Sequence, residues 1–302
     1  MAPNPFLKKL GFSNADRVVV IHTDDIGMCH ASLQAFKDLW KFGSITSGAL
    51  MVPCPWFPAT AQMCRENPEI DMGVHATLNA EWDAYRWSPL STRDQTSGLL
   101  DADGYFQQGQ DAVYQNAKPE AVEMEFNAQI ERALAAGIDV TNVDSHMGTI
   151  MSPLFIQSYI QTAASRLLPS MLPRTDAKGI DMMGISADEM QAYEPVMQQL
   201  EKMGVPMLEG LVSMPLNEPN PDGQMEIAKD LLGDLPIGIT HFILHPSIDT
   251  AELRSICPDW ESRVANYNTF MSDELKKFIE QEDIKLIGYR QIRSAIRSQA
   301  DM

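Results

Sequence analysis

A chain of 302 residues with 44% hydrophobic content is long enough for a large core, and α/β barrels commonly reach this size as one domain. Its 41 acidic and 23 basic side chains leave a formal charge of −18, which repels phosphate backbones and anionic lipid headgroups and so argues against nucleic acid and membrane surfaces as partners. The four cysteines, Cys29, Cys54, Cys64 and Cys257, form no CxxC pair, Met1-Ala2-Pro3-Asn4-Pro5 opens no signal segment, and no run approaches the ~18 apolar residues of a membrane span, so free thiols and a cytoplasmic location are expected.

The stretch from Arg17 to Gly27 begins with the β-branched run of a strand buried on both faces and empties into two adjacent carboxylates, Asp24 and Asp25. Strand ends are where active sites of α/β proteins gather. Alternating side-chain direction predicts that the two acids point to opposite sides, one free to grip a cation and the other to move a proton. Cys29 to Phe42 has helical spacing and ends at Gly43, Ile45 to Val52 reads as a second strand, and Trp56 to Cys64 as a helix. A short third strand, Asp71 to Leu78, carries His75 near its end.

From Asn79 to about Lys118 the rhythm breaks into a turn-rich insertion holding Trp82, Tyr85, Trp87, Tyr105 and Phe106. A helix from Pro119 to Ala136 follows, then a fourth strand, Ile138 to Val143, that discharges into Asp144-Ser145-His146. Beyond it come a helix from Pro153 to about Leu167, a proline-interrupted segment to Arg174, a helix from Ala187 to Met203, a weak strand Val205 to Leu208, and a helix Gly223 to Leu232. The strand Gly238 to Leu244 exits into His245-Pro246; Trp260 to Gln281 is mainly helical, Ile284 to Ile287 a last strand, and Gln291 to Ile296 a last short helix. Seven or eight βα units without a composition break predict one domain over 1–302, a (β/α) barrel, irregular or seven-stranded, with the insertion at 79–118. An open doubly wound sheet is the alternative.

In a barrel, the exits carrying Asp24/Asp25, His75, Asp144/His146 and His245 share one face. Carboxylate and imidazole suit a divalent transition metal, and three protein ligands with an open position mark a catalytic site. Any single histidine beside an apolar strand is more often a hydrogen-bonded core residue, but three of the six fall at such exits. His22, His30 and His241 read as packing or supporting residues, and the 19 methionines as core filling. Trp82, Tyr85 and Trp87 could stack on sugar rings, with Arg86 donating hydrogen bonds, or could form a hydrophobic cluster beneath a long loop.

Ile21 to Gly27, Gly73 to Leu78, Val143 to His146 and Leu244-His245-Pro246, with Gly43 to Ser47 and Met51-Val52, resemble in order and spacing the signature blocks of the YdjC-like (ChbG/HpnK) carbohydrate deacetylase family. The resemblance covers most of the chain and implies a barrel-like, metal-dependent hydrolase of the glycoside hydrolase/deacetylase type, acting on N-acetylated sugars such as chitooligosaccharides. Carried over by position, it implies Asp25, His75 and His146 as ligands of one divalent ion, zinc or magnesium, and Asp24 as catalytic base; His245, from a different strand exit, is placed to protonate the leaving amine. Many members continue the fourth block as Asp-Ser-His-x-His-x-His, where this chain reads Asp144 to Ile150 with no further histidine; the first block has His22-Thr23 for the more usual Asn-Ala and Ile26 for Phe. The substrate is therefore less securely transferred than the metal site, and hydrolysis of a non-sugar amide stands as runner-up. A glycosidase using Asp24 and Asp144, or a non-catalytic sugar-binding protein, is a further alternative. The aromatic insertion could also serve a homodimer.

Overall fold

The computed structural model describes residues 4–183 and 187–300; Met1 to Pro3 of the N-terminal stretch lie outside them. Among the described residues are eight strands: β1 (Arg17–Ile26), β2 (Ser47–Leu50), β3 (Met72–Ala76), β4 (Val140–Ser145), β5 (Pro173–Lys178), β6 (Leu208–Ser213), β7 (Gly238–Leu244) and β8 (Lys285–Leu286). Seven of them pair in parallel in the order β4-β3-β2-β1-β7-β6-β5. The two ends of that order approach each other. A parallel bridge joins Val143 of β4 to Ser170 ahead of β5, where Val143 N–H donates to the Pro169 carbonyl at 3.0 Å and Met171 N–H to the Val143 carbonyl at 3.2 Å. The sheet thus curls into the expected (β/α) barrel-like fold, and the open doubly wound sheet is not adopted.

β1 is central because its residues can be buried on both faces: Val18, Val19, Val20 and Ile21 are all in the core. Each such side chain contributes about 1.5–3 kcal/mol of burial. β7 pairs with β1 along the whole of β7, from Arg17↔Gly238 to Thr23↔Leu244. β2 joins only from His22 upward, while β8 pairs with Val18 and Val19, so the eighth strand supports the lower part of β1.

The differences from the sequence expectations have local causes. The proline-interrupted segment expected up to Arg174 runs into β5, a strand that Pro173, Arg174 and Asp176 mask, since only Pro173 and Ala177 of its residues are buried. β6 starts where the weak strand Val205 to Leu208 was expected to end, since buried Glu209 is accommodated by Asn4, whose Nδ2 donates to Oε2 at 3.0 Å, and by Ile239 N–H at 2.7 Å. The stretch Trp260 to Gln281 is two helices, Trp260–Phe270 and Asp273–Gln281, the second capped by Ser272.

The insertion is built rather than loose. It contains the short helix Gln110–Asn116 and an antiparallel bridge between Leu100 and Phe106. The Glu125 carboxylate accepts from the backbone N–H groups of Leu90 and Ser91 at 3.1 and 2.8 Å, and Gln129, one turn later on the helix Pro119–Ala135, bonds both N–H and C=O of Thr77. One helix therefore ties the end of β3 to the insertion above it. All four cysteines are buried and unpaired. None of the helices among the described residues is long and apolar enough to cross a membrane.

Candidate active site

The end of β1 departs from regular strand geometry. Its register against β2 shifts between Thr23 and Ile26, Asp25 adopts φ 59°, and Gly27 follows at φ 81°. A left-handed conformation is tolerated by Asp better than by most residues with a Cβ. At Gly27 no side chain fits, since a Cβ there would stand 2.9 Å from Thr60 Oγ1. This break overturns the expectation that alternation sends the two acids to opposite sides. His75 Nε2 lies 3.8 Å from Asp24 Oδ2 and 3.6 Å from Asp25 Oδ1, so both carboxylates face one imidazole.

The strand exits do converge. Asp25, His75 and His146 are buried, with one ligand atom from each within 4.8 Å of the other two. His146 Nδ1 stands 3.2 Å from Asp25 Oδ1, and that oxygen is buried without a hydrogen bond. Two atoms each about 2.1 Å from one ion at a tetrahedral angle stand roughly 3.4 Å apart, so the observed 3.2 and 3.6 Å suit a zinc-sized ion. These three residues could hold a divalent metal.

Each also has a partner on its far side. Arg263 Nη1 donates to Asp25 Oδ2 at 2.7 Å, His75 Nδ1 bonds Asp144 Oδ1 at 2.7 Å, and His146 Nε2 meets Glu81 Oε2 at 3.1 Å. Such outer contacts fix a ligand's tautomer and direction. Sequence reasoning missed Glu81 and Arg263. Glu81 sits among the first residues of the insertion, away from any strand end; Arg263 lies in a helix, where the Asp259 four residues earlier, paired with Arg263 Nε at 3.0 Å, was the available signal.

Charge is arranged unevenly. Burial pushes Asp24 up to about 7, with Asp144 and Asp25 adding to the effect against His75 and His22. Burial works the same way on Asp25, but Arg263 and His146 outweigh it and hold that carboxyl well below the usual range. Burial disfavours the charged form of His146, yet Glu81 and Asp25 push it up to about 10 in the metal-free site. His245 Nε2 is 3.9 Å from Asp24 Oδ2, and its backbone N–H donates to Asn266 Oδ1 at 3.2 Å. Confinement brings His245 down to about 4, against the pull of Asp25. Its imidazole is therefore neutral in the resting site.

Above these groups Trp82, Tyr85 and Trp87 form one cluster, with ring centroids 5.7 to 6.5 Å apart, and Trp87 meets the His146 ring edge-on at 6.3 Å. Trp87 is buried, its Nε1 donating to the Asn79 carbonyl at 2.9 Å, and acts as core of the insertion. Tyr85 donates to the Met28 carbonyl, joining the insertion to the loop after β1. Arg86 is committed to Asp101 at 2.7 Å and to the Phe106 carbonyl at 2.6 Å. A cleft of ≈ 320 Å³ runs between Glu81 to Tyr85 on one side and Ser255, Ile256 and Pro258 on the other. Where the later histidines of the fourth block are absent, Met147 and Gly148 take left-handed conformations and leave Met147 half exposed.

Residues 18–281 match the model of the YdjC-like protein family. A carbohydrate deacetylase of Thermus thermophilus is 29% identical over 96% of this chain and 98% of its own length. A carbohydrate deacetylase of Thermoanaerobacter pseudethanolicus is 23% identical over 90% of this chain and 98% of its own. Among solved structures, a protein from Enterococcus faecalis V583 named for cellobiose-phosphate cleavage superposes with a TM-score of 0.73 at 20% identity, over 92% of this chain and 99% of that one, a likeness of fold.

Proposed function

The chain belongs to the YdjC-like family, and from that premise we propose that it removes acetyl groups from N-acetylated carbohydrates with one divalent metal held by Asp25, His75 and His146. The observation that carries the reading is the meeting of those three buried side chains, each backed by its own partner, beside Asp24, whose Oδ2 faces His75 and His245. Two imidazoles and one carboxylate favour zinc over magnesium, which prefers an all-oxygen shell. The relatives named carbohydrate deacetylases support the substrate class.

The ion would supply Lewis acidity, polarising the acetyl carbonyl and acidifying the attacking water. Asp24 takes the proton from that water, a task suited to a carboxyl poised near 7. Amide cleavage then needs a proton on the leaving nitrogen, because a free amide anion is a prohibitive leaving group. His245 is neutral beforehand and so must gain the proton it delivers; Asp24 Oδ2, 3.9 Å from its Nε2, is the nearby source. One proton thus travels from water through Asp24 and His245 to the amine, and acetate and the free amino sugar leave. Trp82 and Tyr85, on the wall of the ≈ 320 Å³ cleft, would face the sugar rings. The glycosidase reading is weakened because Asp144 is 1% exposed and spends one oxygen on His75, so it is not open to a substrate.

The test is acetate release from a panel of N-acetylated mono- and oligosaccharides, with simple acetamides alongside. Acetate and new amines with all glycosidic bonds intact are expected; new reducing ends without acetate would reject deacetylation, and equal rates on the acetamides would move the substrate away from sugars.

A further inference from the structure

A second group of metal-ligating side chains lies deeper in the barrel. One atom from each of His22, Asp24, Asp144 and His241 lies within 4.8 Å of the other three. His22 and His241 are completely buried, Asp144 is 1% and Asp24 8% exposed. Buried polar atoms in folded proteins almost always have partners, yet His22 Nε2, Asp24 Oδ1, Asp144 Oδ2 and His241 Nε2 all lack a hydrogen bond. His22 Nε2 comes within 2.7 Å of Asp144 Oδ2 and 3.5 Å of Asp24 Oδ1, so one imidazole stands between the two carboxylates. Four atoms of metal-ligand type share one buried space, and His241 Nε2 in it has no hydrogen bond.

The surroundings are those of a ligand set. His241 Nδ1 is 2.8 Å from the Tyr289 hydroxyl, which fixes the ring so that Nε2 is the nitrogen left over. The rings of His22 and His241 are 4.6 Å apart, tilted by 41°, with Tyr289 edge-on to His22 at 5.7 Å. Asp144 and Asp24 each use one oxygen on either side: Asp144 Oδ1 holds His75, and Asp24 Oδ2 faces His75 and His245.

We propose that His22, Asp24, Asp144 and His241 form a second, buried site for a zinc-like divalent cation. With four protein ligands and no open position it is a structural site, unlike the three-ligand group above it. Two imidazoles with two carboxylates select a borderline transition ion over magnesium or calcium. An ion there fixes the directions of Asp144 and Asp24, and through Asp144 that of His75. The proposal shares Asp24 with the proposed reaction: Oδ1 meets the deep ion, and Oδ2, which faces His75 and His245, is the oxygen left to carry the proton.

The test is equilibrium dialysis of chelator-stripped protein against zinc, with metal counted per chain by mass spectrometry, and circular dichroism confirming the fold of each variant. Wild type should hold one equivalent more than His241→Gln and one more than His22→Asn, and a separate equivalent should disappear in His146→Ala. If His241→Gln does not fold, the His22→Asn comparison decides. Wild type and both deep-site variants holding the same zinc would overturn the proposal, leaving the space to a buried water. A single equivalent lost in His241→Gln but kept in His146→Ala would uphold the deep site and reject the upper one.

Discussion

The two histidine–aspartate groups at the heart of the barrel contain the same residue types, but their outer contacts differ. In the upper group every member is gripped from behind: Asp25 by Arg263, His75 by Asp144, His146 by Glu81. In the lower group Tyr289 grips His241 and His75 grips Asp144, while His22 is met only by carboxylates of its own group, Asp144 at 2.7 Å and Asp24 at 3.5 Å. The fuller set of contacts should give the upper group the higher affinity and keep its ligand atoms in place before metal arrives. The lower group is instead closed to substrate by burial everywhere but at Asp24, whose Oδ2 faces the upper group. Ligand chemistry says where a cation can sit; contacts behind the ligands and access in front of them say what it can do.

The sharpest way to break this contrast is Asp25→Asn. It removes the one anionic ligand of the upper group and leaves Arg263 short of its buried partner, and breaking such a pair costs about 3–5 kcal/mol. Loss of the upper metal, loss of acetate release and a clear drop in thermal stability are expected together. Asp24→Asn should leave the upper metal in place while turnover falls by about 10²–10⁴-fold, the usual worth of a general base. Reversed outcomes for the two variants would mean that their roles are exchanged.

Asp144→Asn tests the contact from behind. Loss of an outer carboxylate on a ligating histidine typically weakens binding about 10–100-fold, so zinc affinity of the upper group should fall by that factor; unchanged affinity would make Asp144 a support of the lower group alone. Proton competition gives a smaller, graded effect. With His146 pushed up to about 10 in the metal-free protein, the ring carries a proton at neutral pH that the metal must displace. Zinc affinity should therefore rise with pH, by up to about tenfold per unit below that value, with proton release visible by calorimetry in buffers of different ionisation enthalpy. A flat profile would place His146 outside the ligand set.

The smallest effect is expected far from both groups. Asp139 is held at about 2 by Arg293 hydrogen bonds, against burial, with Arg290 adding to the effect, and so ties the start of β4 to the helix Tyr289–Ala300. Its carboxyl is depressed, so its contribution is present above the ordinary value of 3.8 and fades as pH falls through about 2. Because the side chain is 51% exposed, Asp139→Asn should cost no more than about 1 kcal/mol at neutral pH, measured by denaturant unfolding, with zinc content unchanged.

The positions that can be read from the sequence are those where a strong local pattern ends in chemistry. β1, β3, β4 and β7 are strand patterns that stop at Asp24 and Asp25, His75, Asp144 with His146, and His245, and all of these do meet at one end of the barrel. Strand period alone could not place the two acids, because the left-handed turn at Asp25 rotates one of them to join the other. β5 and β6 were obscured for a related reason, their polar residues being settled by distant partners such as Asn4 for Glu209. Glu81 and Arg263 reach the site from the insertion and from a helix, which no strand-end argument can supply. His241 read as structural, and its orphaned nitrogen beside His22 becomes visible only once β1 and β7 are paired.

The most direct test of the central claim is acetate release from an N-acetylated oligosaccharide by protein stripped with a chelator, followed before and after divalent metal is returned. Release should be absent from the stripped protein and recover when zinc is added, with the glycosidic bonds intact throughout. Undiminished acetate release in the presence of chelator, from protein shown to carry no metal, would contradict the account.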